Sequence, residues 1–252
     1  MKDINLMTND TDVFLNLMTN NTDVFLKLSD ELDKQNSNLL SYLLYDRVPV
    51  VLLNRAVQKS ADYVENNMPG VIVFTANKKQ DMWNCAISKI KIDGLLAEFG
   101  VFEGDSINYL SKLVYPKTIF GFDSFFGLEE DYALDFPKGG FNKDGKLPEV
   151  NSNVRLIQGS FSKTLKGWLD ENQGVFSFIN IDCDTYNSTS TVLNLLGPER
   201  IVPGTMILFD EYFGFHGWED HEFKAWQEYC NENNVKYRYV ALCHMQVLVE
   251  VL

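Results

Sequence analysis

From residue 95 to residue 252, short apolar runs alternate with segments whose apolar residues recur at helical spacing. The apolar runs predict strands near residues 95–99, 118–123, 154–158, 176–182 and 205–210. Strands that alternate with helices along a chain are typical of a parallel sheet that carries helices on both faces. The pattern therefore predicts an α/β fold for this part of the chain.

The last two apolar runs break this alternation. Residues 237–242 and 246–252 are separated by only three residues. A parallel connection needs a crossover of a dozen residues or so, whereas two antiparallel strands can be joined by a tight turn. We therefore predict a mostly parallel sheet that finishes in a C-terminal antiparallel hairpin.

The N-terminal third has a different pattern. Residues 28–92 read as mostly helical, with a spacing near 3.6 in segments 39–44 and 55–64, and residues 83–92 could form a further helix. Pro49 and the turn at residues 68–70 interrupt the pattern. We assign residues 1–90 to a helical N-terminal extension and residues 91–252 to the sheet domain.

An internal repeat opens the chain, because residues 5–15 recur as residues 16–26. Its period of 11 residues is about three helical turns, so both copies could present Leu, Met, Val and Phe on one stripe. The repeat is either an oligomerisation or substrate-capping helix or a tandem duplication in a tolerant N-terminal arm. The helical N-terminal third predicts a homo-oligomer.

Composition limits the classes of binding partner and the cellular compartment that we expect. The 252 residues are 45% hydrophobic, which suffices for one well-cored domain plus an appendage. The net charge of −13 argues against nucleic acid and anionic membrane, whose binding depends on basic patches. The four cysteines form no CxxC pair and no zinc spacing, and the N-terminus has no signal-peptide pattern, so we expect a cytoplasmic protein.

The most informative motif follows the first predicted strand. That strand ends in Glu98, two glycines follow at Gly100 and Gly104, and a helix-start signal comes next. A strand turns into a helix in this way where its backbone passes close to a ligand. The second strand ends in Asp123, at the position where an acid can hold the two hydroxyls of a ribose. The two motifs together predict a nucleoside-containing cofactor.

Four further acids follow two later strands. Asp182 and Asp184 follow the strand at 176–182, and Asp210 and Glu211 follow the strand at 205–210. The carboxyl ends of parallel strands line one crevice, so these groups would repel one another unless a cation lay among them. Mg²⁺ prefers such oxygens, which favours a metal site. The alternative is that some of these acids cap helices or pair with Lys and Arg.

At this point the chain resembles the macrocin O-methyltransferase family. The resemblance is carried by residues 98–104, 122–128, 182–189 and 209–212, and it covers roughly residues 90–252. Members are class I S-adenosylmethionine-dependent enzymes that methylate hydroxyls, notably on deoxysugars. A parallel sheet finished by a hairpin is characteristic of class I methyltransferases, so the resemblance implies a Rossmann-like methyltransferase sheet.

The resemblance also implies roles for individual residues. The cofactor would be bound by Glu98, Gly100, Gly104, Asp123, Ser124, Ser160 and Phe161. The first three would bound its methionine end, Asp123 would hold the ribose with Ser124 beside it, and the last two fall where the family contacts adenine. The family tends to carry Trp where this chain has Ser160.

The same resemblance divides the four acids. Asp182, Asp210 and Glu211 would bind Mg²⁺, and Asp184 would be the general base. The family usually carries Asp-Asp where this chain has Asp210 and Glu211, and the longer side chain could shift or loosen the metal.

The expected reaction is methyl transfer to a hydroxyl of a sugar or related small-molecule or glycan acceptor. An alcohol must be aligned with the methyl carbon and lose its proton, and Mg²⁺ can lower its pKa. His216 and His221 could form an alternative base or a substrate loop, and Lys224 could reach the cleft, but most such residues are surface or packing residues.

Other functions stay open beside this one. A metal-dependent catechol O-methyltransferase would need similar acids. A nicotinamide-dependent oxidoreductase would need the ribose acid, although residues 100–104 lack the GxGxxG order. The alternative from a different class is a non-catalytic cofactor-binding scaffold protein.

Overall fold

The computed structural model describes Lys34, residues 47–131 and residues 137–252. By its contacts the chain divides into two units, residues 1–52 and residues 53–252. The described part of the first unit is helical, at Lys34 and at residues 47–52. The repeat at residues 5–26 lies outside the described residues. The division at residue 90 stays a prediction; residues 53–90 belong to the same contact unit as the sheet.

Six α-helices and eight strands make up the described fold. The helices are α1 (Arg47–Asn67), α2 (Lys79–Ser88), α3 (Asp105–Val114), α4 (Phe161–Glu171), α5 (Tyr186–Leu196) and α6 (Glu222–Asn233). The strands are β1 (Ile72–Phe74), β2 (Leu95–Phe99), β3 (Ile119–Asp123), β4 (Val154–Gln158), β5 (Phe176–Ile181), β6 (Met206–Phe209), β7 (Tyr237–Cys243) and β8 (Gln246–Val251). None of the described helices is both long and apolar enough to cross a membrane.

The eight strands form one mixed sheet in the order β1-β7-β8-β6-β5-β2-β3-β4. Strand β8 runs antiparallel to β6 and to β7, and every other neighbouring pair is parallel. The predicted α/β fold, its five strands and the C-terminal hairpin are thereby confirmed. All six residues of β5 are buried, as expected for a strand that is covered on both faces.

One strand was missed by the sequence pattern. Residues 28–92 were predicted to be mostly helical, but Ile72–Phe74 forms the edge strand β1, which pairs in parallel with Ala241–Cys243. A run of three residues is too short to show a strand period, and tertiary pairing decides its conformation.

Helices cover both faces of the sheet, and each face has its own hydrophobic core. Leu165 of α4 and Trp226 of α6 lie in one core, whereas Met82 of α2 and Leu110 of α3 lie in the other. Burying each such side chain stabilises the fold by about 1.5–3 kcal/mol. With both faces covered, the carboxyl ends of β2, β3, β5 and β6 are left to the loops that form the candidate site.

Candidate active site

A cavity of about 550 Å³ lies at the carboxyl ends of β2, β3, β5 and β6. Its charged lining residues are Lys79, Glu103, Asp105, Asp123, Glu129, Glu130, Asp182, Asp184, Asp210 and Glu211. Among the predicted site residues, the cavity is also lined by Gly100, Ser124, Ser160 and Phe161. The structure therefore brings most of the predicted cofactor residues and all four predicted acids to one cavity, with Glu98 and Gly104 outside its lining.

Gly100 follows β2 directly and packs against Asp182, the residue that follows β5. Its φ is +94°, and a Cβ built there would lie 1.6 Å from the carbonyl oxygen of Asp182. No other residue type fits this position without moving the backbone. The glycine that the sequence marked as a ligand-approach residue is thus also required by the close approach of two protein strands.

Asp123 fastens the loop that follows Gly100. Its Oδ2 accepts hydrogen bonds from the backbone N–H groups of Val101 at 2.8 Å and Phe102 at 2.9 Å, and its Oδ1 accepts one from Phe125 at 2.7 Å. An ionised carboxylate offers about four acceptor positions. Asp123 lies at the cavity as predicted. Two of its three hydrogen bonds order the loop after Gly100, and the third orders the loop after β3.

Glu98 lies beneath the glycine loop. It is fully buried, and its Oε1 accepts hydrogen bonds from the hydroxyl of Ser106 and, at 3.3 Å, from Nδ2 of Asn180. Its Oε2 has no hydrogen-bond partner among the described residues. Burial raises the pKa of Glu98 to about 8, so this group carries a proton at neutral pH.

The residues expected near adenine lie at the start of α4. Ser160 and Phe161 both line the cavity, and the ring of Phe161 packs edge-on against Phe99 with centroids 5.7 Å apart. Ser124 also lines the cavity, where its hydroxyl accepts a hydrogen bond from the N–H of Phe126 at 3.1 Å. Gly104, with φ +84°, is the residue before α3.

Three of the four acids form a compact cluster. One carboxylate oxygen from each of Asp182, Asp184 and Glu211 lies within 4.8 Å of the others. Burial, reinforced by the carboxylate of Asp210, raises the pKa of Asp182 and of Glu211 well above the ordinary range. The same two causes raise the pKa of Asp184 to about 6. The Oε2 of Glu211 is buried with no partner among the described residues.

Asp210 lies beside this cluster and is paired differently. The ammonium of Lys79 lies 3.0 Å from its Oδ1 and 3.2 Å from its Oδ2, and the side-chain amide of Gln246 donates to Oδ1. Burial lowers the pKa of Lys79, and Asp210 outweighs this effect and raises it above the ordinary value. The structure thus groups Asp184 with Asp182 and Glu211, and the assignment of Asp210 as a metal ligand and Asp184 as the base stays a prediction.

Two titratable groups of the site, the half-exposed Lys79 and the buried Glu222, were missed by sequence reasoning. Lys79 begins α2, in a segment that the resemblance does not cover. Glu222 on α6 is fully buried, and its Oε2 accepts a hydrogen bond from the N–H of Glu211 at 3.0 Å. Glu222 therefore orders the acidic loop after β6, and no motif marks it because its role arises from tertiary packing.

The two histidines and Lys224 lie outside the cavity lining. Burial lowers the pKa of His221, whose ring lies 5.7 Å from that of Phe215. The ammonium of Lys224 lies over the ring of Tyr186, 4.6 Å from its centroid. The ring contact of His221 and the contact of Lys224 with Tyr186 are packing contacts, and the roles of His216, His221 and Lys224 stay open.

Comparison with known proteins finds one family match, over part of the chain. Residues 97–212 match a family described as a methyltransferase domain. The match is to this broad domain, and the macrocin O-methyltransferase resemblance stays a prediction. No curated protein matches the chain.

Three solved structures have the same fold. CalS11, a calicheamicin methyltransferase, is 18% identical over 87% of this chain and 92% of its own, with a TM-score of 0.57. Apo CalS11, named as a TDP-rhamnose 3'-O-methyltransferase, is 21% identical over 79% of this chain and 91% of its own, with a TM-score of 0.51. The O-methyltransferase NovP is 18% identical over 69% of this chain and 78% of its own, also at 0.51. At these identities the likeness establishes a Rossmann-like methyltransferase fold.

Proposed function

We propose that this chain, whose residues 97–212 match a methyltransferase domain, is an S-adenosylmethionine-dependent O-methyltransferase that acts on a hydroxyl of a sugar or related small-molecule or glycan acceptor. One observation carries the proposal. The glycine loop after β2 and the acidic cluster after β5 and β6 open into the same cavity, with Gly100 packed against Asp182. A cofactor bound on the glycine loop would therefore lie next to an acceptor bound at the acidic cluster.

The cofactor half of the cavity suits S-adenosylmethionine. The loop at residues 100–103 is held in place by Asp123 before any ligand arrives. Ser124 and Ser160 add polar groups to the same wall. The acidic lining favours the positive charge of a sulfonium.

The acidic cluster fits a bound Mg²⁺. The donor set is all carboxylate, and the unpartnered buried Oε2 of Glu211 is a group that a cation would satisfy. Asp182 and Glu211 would hold the ion, with Asp184 and Asp210 beside it. When bound, the ion supplies positive charge that lowers the pKa of an acceptor hydroxyl.

The proton of the acceptor goes to Asp184 in this proposal. In the metal-free protein, burial and the carboxylate of Asp210 raise the pKa of Asp184 to about 6, which makes it a stronger base than an ordinary aspartate. As that proton leaves, the acceptor oxygen bonds to the methyl carbon and the bond from carbon to sulfur breaks. The other product is S-adenosylhomocysteine, and the walls of the cavity contribute alignment.

Calorimetric titration of S-adenosylhomocysteine into the full chain, first with Mg²⁺ and then with EDTA, tests the cofactor. We expect micromolar binding, with a metal-dependent difference if the ion lies beside the cofactor. No binding in either condition would overturn the proposal and favour the scaffold or nicotinamide alternatives.

A variant separates catalysis from binding. We expect Asp184→Asn to lower the rate of methyl transfer from labelled S-adenosylmethionine by about 10²–10⁴-fold and to leave S-adenosylhomocysteine binding nearly unchanged. A panel of glycosides and catechols as acceptors distinguishes the sugar enzyme from the catechol enzyme. Glu171→Gln, on the exposed side of α4, is the control.

A further inference from the structure

The cavity has an acceptor half that is distinct from its cofactor half. If the cofactor lies on residues 100–103, 105–106, 123–124 and 160–162, the remaining lining consists of Lys79, residues 127–130, Phe141, Cys183, residues 187–188, Thr191 and the acids after β5 and β6. The acceptor must lie against this second set.

Carboxylates dominate the acceptor half. Glu129 and Glu130 on the loop after β3 add to the four acids after β5 and β6. Glu130 accepts a hydrogen bond from the side-chain amide of Asn187, and Glu129 is exposed at the wall. Among the described lining residues Lys79 is the only cation, and its ammonium is already in contact with Asp210. The carboxylates outnumber the charges that Lys79 and one divalent ion together could neutralise.

The neutral groups of this half suit hydroxyls. Asn187, Ser188 and Thr191 present an amide and two hydroxyls from the first turns of α5. A helix N-terminus can also attract phosphate, but here the N–H of Ser188 already donates to the side chain of Thr185 at 3.2 Å. The wall therefore combines sugar-binding groups with an excess of negative charge.

We propose that the acceptor site selects a sugar that bears an ammonium group, accepts a neutral sugar less well, and rejects sugars that carry phosphate or diphosphate. A diphosphate would add negative charge to a wall that is already acidic, whereas an ammonium would neutralise part of it. This inference rests on the proposed function. The acceptor proposed for this chain differs from the TDP-rhamnose that is named for CalS11.

Three probes that differ in charge at one position test the proposal. They are methyl glucoside, its 6-amino-6-deoxy analogue and its 6-phosphate, titrated into the full chain at pH 7 with Mg²⁺ and S-adenosylhomocysteine and followed by saturation-transfer NMR. We expect the amino sugar to bind about tenfold more tightly than the neutral sugar, and the phosphate about tenfold more weakly. Equal binding of the three, binding of none, or preference for the phosphate would overturn the proposal.

Charge-neutralising variants locate the effect. We expect Glu129→Gln combined with Glu130→Gln to reduce the preference for the amino sugar about fivefold. The control, Glu171→Gln combined with Glu232→Gln, removes the same charge from exposed positions on α4 and α6. Equal effects of the two double variants would show that the net charge of the chain, and not the cavity wall, selects the probe, and would overturn the proposal.

Calorimetry of S-adenosylhomocysteine on the same samples separates the two possible failures. If S-adenosylhomocysteine does not bind, the proposed function fails. If it binds and the phosphate probe is preferred, the enzyme assignment stands and the acceptor class proposed here is wrong.

Discussion

At the ends of β2 and β3 the carboxylate of Asp123 is ordered by three backbone N–H groups, whereas at the ends of β5 and β6 the carboxylates of Asp182, Asp184 and Glu211 face one another. In the first region both carboxylate oxygens of Asp123 have backbone partners without a ligand, and the buried Glu98, whose Oε2 has no partner among the described residues, carries a proton. The second region has a buried oxygen of Glu211 without a partner among the described residues, in the middle of several carboxylates. The glycine-loop half of the cavity is therefore preorganised. The acidic half is stable only when protons or a cation reduce the repulsion among its carboxylates.

The largest expected effect comes from breaking the point where the two regions meet. Gly100→Ala would place a Cβ 1.6 Å from the carbonyl oxygen of Asp182. We expect it to destabilise the protein by more than about 4 kcal/mol and to abolish S-adenosylhomocysteine binding, because backbone must move in both regions. Urea denaturation and calorimetry measure the two effects.

Gly217→Ala is the matched control for that change. Gly217 has a similar positive φ of +85°, and a Cβ there would meet nothing within 4 Å. We expect it to cost only about 1 kcal/mol, from backbone strain alone. Equal losses in the two variants would mean that the contact with Asp182 is unimportant.

The next effect is the pH dependence of the metal-free protein. The pKa of Glu98 is about 8 in the folded protein against an ordinary 4.5, so the folded state keeps a proton that the unfolded state loses. The stabilisation is full below about pH 4.5 and is lost as the pH rises through 8. We expect Glu98 to contribute a fall on the order of 3 kcal/mol to the free energy of unfolding in EDTA between pH 5 and pH 8, and the other buried acids with raised pKa values to add to it.

Glu98→Gln sharpens this test, because glutamine does not titrate. We expect a clearly smaller fall in its free energy of unfolding over the same range, measured by urea denaturation at each pH. An unchanged slope would assign the pH dependence to other groups.

A smaller effect is expected from metal. Mg²⁺ at 100 times its dissociation constant should stabilise the wild-type protein by about 2.7 kcal/mol. We expect Asp182→Asn to remove this stabilisation and Asp210→Asn to keep part of it, since Asp210 is paired with Lys79. Thermal denaturation with and without Mg²⁺ measures both. If Asp210→Asn loses the effect as completely as Asp182→Asn, the ligand set implied by the resemblance is the better one.

The smallest effect on stability is expected from a surface salt bridge that belongs to neither half of the cavity. Lys59 and Glu219 form a salt bridge of 2.8 Å on the surface, where the side chains are 62% and 51% exposed. We expect Glu219→Gln to change the free energy of unfolding by no more than about 0.5 kcal/mol, because water screens the pair. A loss as large as that of the buried variants would remove the contrast between exposed and buried carboxylates.

Much of the fold followed from the sequence because its information is local. Each core strand is an apolar run with clear limits, and three residues between two strands leave only a hairpin. Strand β1 was not predicted because its three residues take their conformation from pairing with β7. Gly100 was recognised, but its contact with Asp182 depends on a strand that lies far away in sequence.

The site was less predictable for the same reason. Lys79 and Glu222 reach the acids from helices whose positions are set by packing. Asp182 and Asp184 are two residues apart, so extended backbone would place both side chains on one face. Asp184 instead has φ +64°, in the left-handed region, and its carboxylate joins the cluster with Asp182 and Glu211. Aspartate adopts this conformation more readily than most residues, but the sequence does not show which aspartate does so.

The hydrogen bond that Glu222 accepts from Glu211 and the one that Gln246 donates to Asp210 also bear on the order in which the protein is made. Glu222 and Gln246 come after residue 212, where the match to the methyltransferase domain ends, and Gln246 begins β8, which lies inside the sheet between β7 and β6. A chain leaves the ribosome N-terminus first, so the strands that carry the acids emerge before the groups that orient them. The acidic half of the cavity is therefore among the last parts of the molecule to be fixed during synthesis, and a nascent chain that already holds the glycine loop still lacks an ordered set of carboxylates.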